Sequence, residues 1–188
     1  KAGNVFVADT RANQIKKIST DGNVSVVAGS GVGGFDDGPA STATFASPRS
    51  LVIDSQGNIF VDSYKAIRKI TPAGMVSTFA GLSRGDDTVS ELPDKSFSVT
   101  GLAIDEQDNI FFTDYHLVRK ISPNGDMSTV AGHAEENGTL DGTALTARFN
   151  SLAGIALDKE NNIYVSDGFA IRKISSSGTV TTLAGDVD

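Results

Sequence analysis

The hydrophobic positions of this chain fall in short bursts, each closed by Gly, Asn, Asp, Ser or Pro. One burst reads Leu51-Val52-Ile53, Leu102-Ala103-Ile104 and Ile155-Ala156-Leu157, and ends each time in an aspartate: Asp54, Asp105 or Asp158. A polar turn follows and closes on Asn58, Asn109 or Asn162. The next burst is Val5-Phe6-Val7, Ile59-Phe60-Val61, Ile110-Phe111-Phe112 and Ile163-Tyr164-Val165. A third carries a basic pair and a fourth begins at Val24, Val76, Met127 or Val180. β-Branched and aromatic residues dominate these bursts, which predicts strands joined by tight turns. No window sustains the helical apolar period of about 3.6 residues, so no helix is expected.

The bursts recur as a unit. Lys16-Lys17-Ile18, Arg68-Lys69-Ile70, Arg119-Lys120-Ile121 and Arg172-Lys173-Ile174 are spaced 52, 51 and 53 residues apart. Ala-Gly pairs ending at Gly29, Gly81, Gly132 and Gly185 keep the same spacing. A period of this size marks a repeat architecture. Four short antiparallel strands per unit, with apolar runs that must be buried on both faces, predict an all-β fold of β-propeller blades. The blades are expected over residues 3–29, 45–81, 97–132 and 149–185, in one propeller segment.

The unit resembles the NHL repeat. The resemblance rests on Gly57-Asn-Ile-Phe-Val61, Ala66-Ile-Arg-Lys-Ile70 and Gly74-Met-Val-Ser-Thr-Phe-Ala-Gly81, and on Phe149 through Asp158 running into Asn162-Ile-Tyr-Val165. It covers almost the whole chain. It implies a β-propeller, commonly of six blades, and relatives that include calcium-dependent lactonases and intracellular interaction propellers.

The repetition fails at the start. The first unit begins at its second strand, so three full blades and three further strands are expected, fifteen in all. Asn4, Val5, Phe6, Val7 and Ala8 then form an unpaired edge, which is a pairing template. Three readings stay open: a segment of a longer propeller, a four-bladed ring lacking one strand, or a gap filled by a neighbouring subunit, which would give a ring or a filament. The chain opens at Lys1 with no signal-peptide pattern, so a mature or trimmed segment is expected.

Composition narrows the chemistry. The net charge of −7 disfavours nucleic acid and anionic membrane surfaces. No run reaches the roughly 18 apolar residues of a membrane-spanning helix. With no cysteine there is no disulfide, thiolate nucleophile or Cys-based zinc site. The two histidines, His116 and His133, stand in no metal-ligand pattern, and no nucleophile elbow or P-loop occurs. Catalytic residues, metal sites and cofactors are therefore not expected; calcium is the one cation the acidic loops could suit, without EF-hand spacing.

The basic ladder recurs once per unit, which points to a structural role: each pair lays its stem on the blade and meets the carboxylates of its own turns. The aspartates of the turns read as turn chemistry. The connectors at 30–44, 82–96 and 133–147 differ from unit to unit and are acidic. Asp36, Asp37, Asp86, Asp87 and Asp141 lie in them, and the turns between second and third strands bring Tyr64, Tyr115, His116 and Phe169. These residues form the candidate ligand face, for protein or carbohydrate. Asn23 and Asn137 begin glycosylation sequons. The expected function is a non-enzymatic propeller for binding or assembly, extracellular or at the cell surface, with its own neighbouring subunits as partner. A lactonase-like hydrolase and an intracellular interaction propeller are the alternatives.

Overall fold

A computed structural model describes residues 3–81 and 98–186. The chain divides into two compact units, residues 1–97 and 98–188. Every described element is a β-strand.

In the first unit, β1 (Val5–Asp9), β2 (Gln14–Ile18) and β3 (Val24–Ala28) form a three-stranded sheet in that order. The second sheet contains β4 (Gly38–Pro39), β5 (Leu51–Ile53), β6 (Ile59–Ser63), β7 (Ala66–Ile70) and β8 (Met75–Gly81), in the order β4-β8-β7-β6-β5. The second unit repeats this plan. Its first sheet is β9 (Val99–Ile104), β10 (Ile110–Asp114), β11 (Leu117–Ile121) and β12 (Met127–Ala131), in sequence order. Its other sheet holds β13 (Gly142–Thr143), β14 (Leu152–Leu157), β15 (Ile163–Asp167), β16 (Ala170–Ile174) and β17 (Thr179–Gly185), with β13 outside β17. All pairings are antiparallel.

The fifteen expected strands are present, and β4 and β13 are two more. They arise inside connectors that the sequence reads as loops. The chain leaving β3 crosses to the following sheet and pairs Gly38 with Val76 and Pro39 with Met75. In the second unit Gly142 pairs with Val180 and Thr143 with Thr179. Each strap is anchored to the strand it left: Gly29 N–H donates to Ala40 O, and Gly132 N–H to Ala144 O, both at 2.8 Å. These are the glycines of the Ala-Gly markers. Their φ values of 105° and 104° place them in left-handed backbone. A β-carbon on Gly132 would fall 2.5 Å from the His116 carbonyl oxygen, so no other residue fits.

Every sheet carries a bulge in the same place, between the strand with the basic pair and the strand that follows it, immediately before the first basic residue of the ladder: Ile15/Lys16, Ile67/Arg68, Val118/Arg119 and Ile171/Arg172. The bulge sharpens the strand's twist and re-aims the side chains beyond it.

The core lies between facing sheets. In the first unit Phe6, Ile15 and Val27 of the first sheet pack on Ile59, Val61, Ile70 and Val76 of the second, with Phe45 of the strap between them. The second unit repeats this with Phe111, Val118 and Val130 against Ile163, Val165, Ile174 and Val180, around Phe149.

Candidate functional site

In three of the four repeats the first residue of the basic pair does not snorkel; Lys16 alone stays partly exposed. Arg68 and Arg172 are wholly buried. Burial is affordable because the strap lays a carboxylate over each guanidinium. Arg68 Nη2 donates to Asp37 Oδ1 at 2.6 Å, and Nη1 to the Thr44 carbonyl at 2.9 Å. Arg172 Nη2 donates to Asp141 Oδ1 at 2.6 Å, and Nη1 to Asp167 Oδ2 of its own hairpin at 2.9 Å. Both guanidiniums also lie over a strap aromatic ring, Phe45 at 5.5 Å and Phe149 at 5.1 Å. Arg119 pairs with Asp114 of its own hairpin at 3.4 Å, and Lys16 with Asp9 of its own at 2.7 Å.

The candidate acids are thereby drawn into the framework. Asp37 also accepts from Thr78 Oγ1, and Asp141 from Thr182 N–H at 2.9 Å and Thr182 Oγ1. Burial alone would raise the Asp141 carboxyl, but Thr182 and the Arg172 guanidinium hold it below the usual range. Asp36 is half-buried; its N–H donates to Thr44 Oγ1 and its carbonyl accepts from Arg68. Asp86 and Asp87 lie outside the described residues.

A further set of acids pins the starts of the inner strands. Asp62 Oδ1 accepts from the N–H groups of Arg49 and Ser50 at 2.6 and 2.7 Å. Asp167 Oδ1 does the same for Asn150 and Ser151, and Asp114 Oδ1 for Ser98. Burial raises the Asp62 and Asp114 carboxyls despite these bonds. The sequence signal for Asp62 is weak, because it sits one place earlier in its strand than Asp114 and Asp167 do. At the opposite end of the hairpins, Asp54, Asp105 and Asp158 each accept from the backbone N–H two and four residues on, and from the Asn58, Asn109 or Asn162 amide. That is the turn chemistry the repeat implies.

What remains unabsorbed is aromatic. Tyr64 and Tyr115 open two-residue turns and are 61% and 62% exposed. Their φ values are 58° and 54°. A bulky side chain in left-handed backbone is strained by about 1–3 kcal/mol. The fourth repeat has Gly168 at this place, with the same φ of 58°, and moves its aromatic residue to Phe169, 93% exposed. Tyr115 is held firmly, since its carbonyl accepts from Leu152 N–H at 3.1 Å. His116 beside it is half-buried, with Nε2 3.3 Å from the Ala134 carbonyl. Tyr64 leans on Phe35 at 6.4 Å between ring centroids and on Lys65.

Among the described residues β1 pairs with β2 alone, and Val5 and Val7 are exposed along it. Beside it lies a cavity of about 420 Å³ lined by Asn4, Phe6, Ile53 and Ile59, among others. Asn23 is exposed, with its amide on Asp21 Oδ2, and Asn137 is exposed with Thr139. Among the described residues, no three His, Asp or Glu side chains gather to hold a metal ion, and no helix is long and apolar enough to cross a membrane.

The architecture is shared with solved proteins. Virginiamycin B lyase from Staphylococcus aureus superposes on 96% of this chain with a TM-score of 0.60 at 16% identity, over 52% of its own length. An auxiliary nutrient binding protein from Bacteroides thetaiotaomicron gives a TM-score of 0.66 at 11% identity, over 94% of this chain and 42% of that one. The fold is that of a β-propeller. By sequence the propeller is similar to Teneurin-3 of Mus musculus, 27% identical over 173 residues, and to Teneurin-1 of Gallus gallus, 26% over 166. These matches take in 81% and 79% of the propeller chain and 6% of either teneurin. The chain therefore spans about half of the solved propellers and a small part of the curated relatives. No family model matches it.

Proposed function

We propose that this propeller is a non-enzymatic recognition module of NHL type, working outside the cell, and that it grips a protein partner with its second-to-third-strand turns. The observation that carries this is the pair of tyrosines in left-handed backbone. Gly168 is the unstrained solution of the same turn, so the left-handed backbone at Tyr64 and Tyr115 carries a strain that glycine would avoid. Tyrosine offers a large amphipathic contact surface with only two side-chain torsions to freeze. The carboxylates nearest the inner-strand starts, Asp62, Asp114 and Asp167, are occupied by backbone N–H groups. That use supports binding over the lactonase-like hydrolysis also known on such frames. The exposed sequons at Asn23 and Asn137 suit an extracellular surface, and glycan on either would set aside an intracellular interaction role.

The test compares the chain with its Tyr64→Gly/Tyr115→Gly variant on arrays of extracellular proteins and of glycans. Protein spots bound by the first and lost by the second support the reading. Retention on glycan spots alone would make carbohydrate the ligand, and equal binding by both would remove the turns from recognition.

A second reading is favoured by the cavity beside β1. It lies where a further antiparallel strand would pass Phe6; in the second unit the corresponding Phe111 pairs with Ala103 of β9. Assembly by strand addition at Asn4–Ala8 would use a segment of the Leu-Val-Ile-Asp type. A peptide spanning 50–58 should then bind and protect the β1 amides from exchange, and no protection would reject it.

A further inference from the structure

Residues that recur in every repeat hold the blades together, so a charged residue confined to one repeat, on a loop, needs another reason. Arg49 and Lys65 are two such residues. Arg49 donates its N–H to Asp62, as Asn150 does to Asp167 in the second unit, so the fold uses the backbone at this place and not the guanidinium. Lys65 is the second residue of the turn between β6 and β7, where the later repeats have His116 and Phe169. Arg11, in the turn between β1 and β2, is a third.

Hydrogen bonds within the first unit draw these three together. Thr10 Oγ1 donates to the Pro48 carbonyl at 2.7 Å, which sets Arg11 and Arg49 each one residue from the same bond. Ser47 N–H donates to Asn13 Oδ1 at 3.0 Å, and Ala46 N–H to Ser63 Oγ at 2.7 Å, so one loop is tied to both turns. All three cations stand in turns or loops, not on the sheet faces that stack.

Their charges are uncommitted. Arg11 and Arg49 are exposed and Lys65 is half-buried. Among the described residues none of the three makes an ion pair. The acids around them are engaged elsewhere: Asp9 with Lys16 and the Ala12 N–H, Asp37 with Arg68 and Thr78, and buried Asp62 with two backbone N–H groups. Tyr64 belongs to the same cluster, with Lys65 Nζ 5.6 Å from the centre of its ring.

We infer that these loops of the first unit take the carboxylates of a short acidic protein segment. Two guanidiniums match carboxylates in geometry as well as charge, and Tyr64 adds an aromatic contact beside them. The net charge of −7 opposes a long polyanion, which would run past three cations onto an acidic chain; a short acidic stretch has no such cost. The inference rests on the protein-partner reading above and gives that partner its charge.

The test measures binding of a fluorescein-labelled hexaglutamate peptide by anisotropy at low ionic strength. The unmodified chain should bind it, and added salt should weaken the complex. Arg49→Gln/Lys65→Gln, which keeps the Arg49 N–H for Asp62, should weaken it roughly tenfold. Lys159→Gln removes an exposed cation of the second unit and should leave binding unchanged. Circular dichroism checks folding; if the double variant does not fold, Arg11→Gln in its exposed turn carries the test with a smaller loss. Three results would overturn the inference: no binding by the unmodified chain, an equal loss in Lys159→Gln, or tighter binding of a heparin-derived hexasaccharide than of hexaglutamate, which would make a sulfated glycan the ligand. The two readings fail separately. Array binding that survives in Tyr64→Gly/Tyr115→Gly removes the tyrosine turns, whereas hexaglutamate binding that survives in Arg49→Gln/Lys65→Gln removes only the acidic preference.

Discussion

Asp141 and Arg172 stand 31 residues apart in sequence and 2.6 Å apart in space, the arginine wholly buried and the aspartate reaching it from just before the two-residue strand β13. The pair joins the strap to the sheet it borders. Asp37 and Arg68 repeat the arrangement in the first unit.

Asp141→Ala removes the acceptor that serves both Arg172 and Thr182. Asp167 still holds the other guanidinium nitrogen, so the loss should be about 2–3 kcal/mol rather than the full cost of an orphaned buried charge. Urea denaturation measures it. Because the Asp141 carboxyl is held low, its contribution is present above the ordinary carboxylate value near 3.9 and lost as pH falls through the folded value. The variant and the parent should therefore converge in acid.

Phe149→Ala opens a hole beneath the strap and takes the aromatic face from Arg172. A fully buried phenylalanine lost in this way costs about 3–5 kcal/mol. Thermal unfolding should show a large drop, and Phe45→Ala should match it in the first unit.

Asp62 predicts the opposite pH trend. Burial raises its folded value, so the folded protein binds a proton more readily than the unfolded chain. Stability then falls as pH rises from the unfolded value through the folded one. Asp62→Asn keeps an acceptor for the Arg49 and Ser50 N–H groups without the charge. Its melting temperature should exceed the parent's at neutral pH, with the gap closing in acid; a lower melting temperature at neutral pH would mean the charge itself is needed.

The sheets were legible in the sequence because a burial pattern that recurs four times cannot be fortuitous, and the Asp-to-Asn turns followed from local chemistry. The straps were not, although a signal exists. Asp37-Gly38-Pro39-Ala40 with Thr42, Ala43 and Phe45 matches Asp141-Gly142-Thr143-Ala144 with Thr146, Ala147 and Phe149. Two-residue strands carry too little periodicity to announce themselves, and the acids just before them, Asp37 and Asp141, resembled loop acids. Arg68 and Arg172 look like any surface cation until an acid brought from outside their hairpin makes burial possible. The strain at Tyr64 and Tyr115 is a backbone torsion, which composition does not record; the glycine at 168 was the only hint.

The central claim is that those two tyrosines are kept for recognition at a cost in stability. Tyr64→Gly/Tyr115→Gly tests it in one protein. Glycine relieves the left-handed strain, and both side chains are largely exposed, so unfolding free energy should rise by about 1 kcal/mol per turn. The same variant should lose the protein spots that the parent binds on an extracellular array. A variant that is more stable and no longer binds is the predicted result; one that binds as well as the parent would contradict the account.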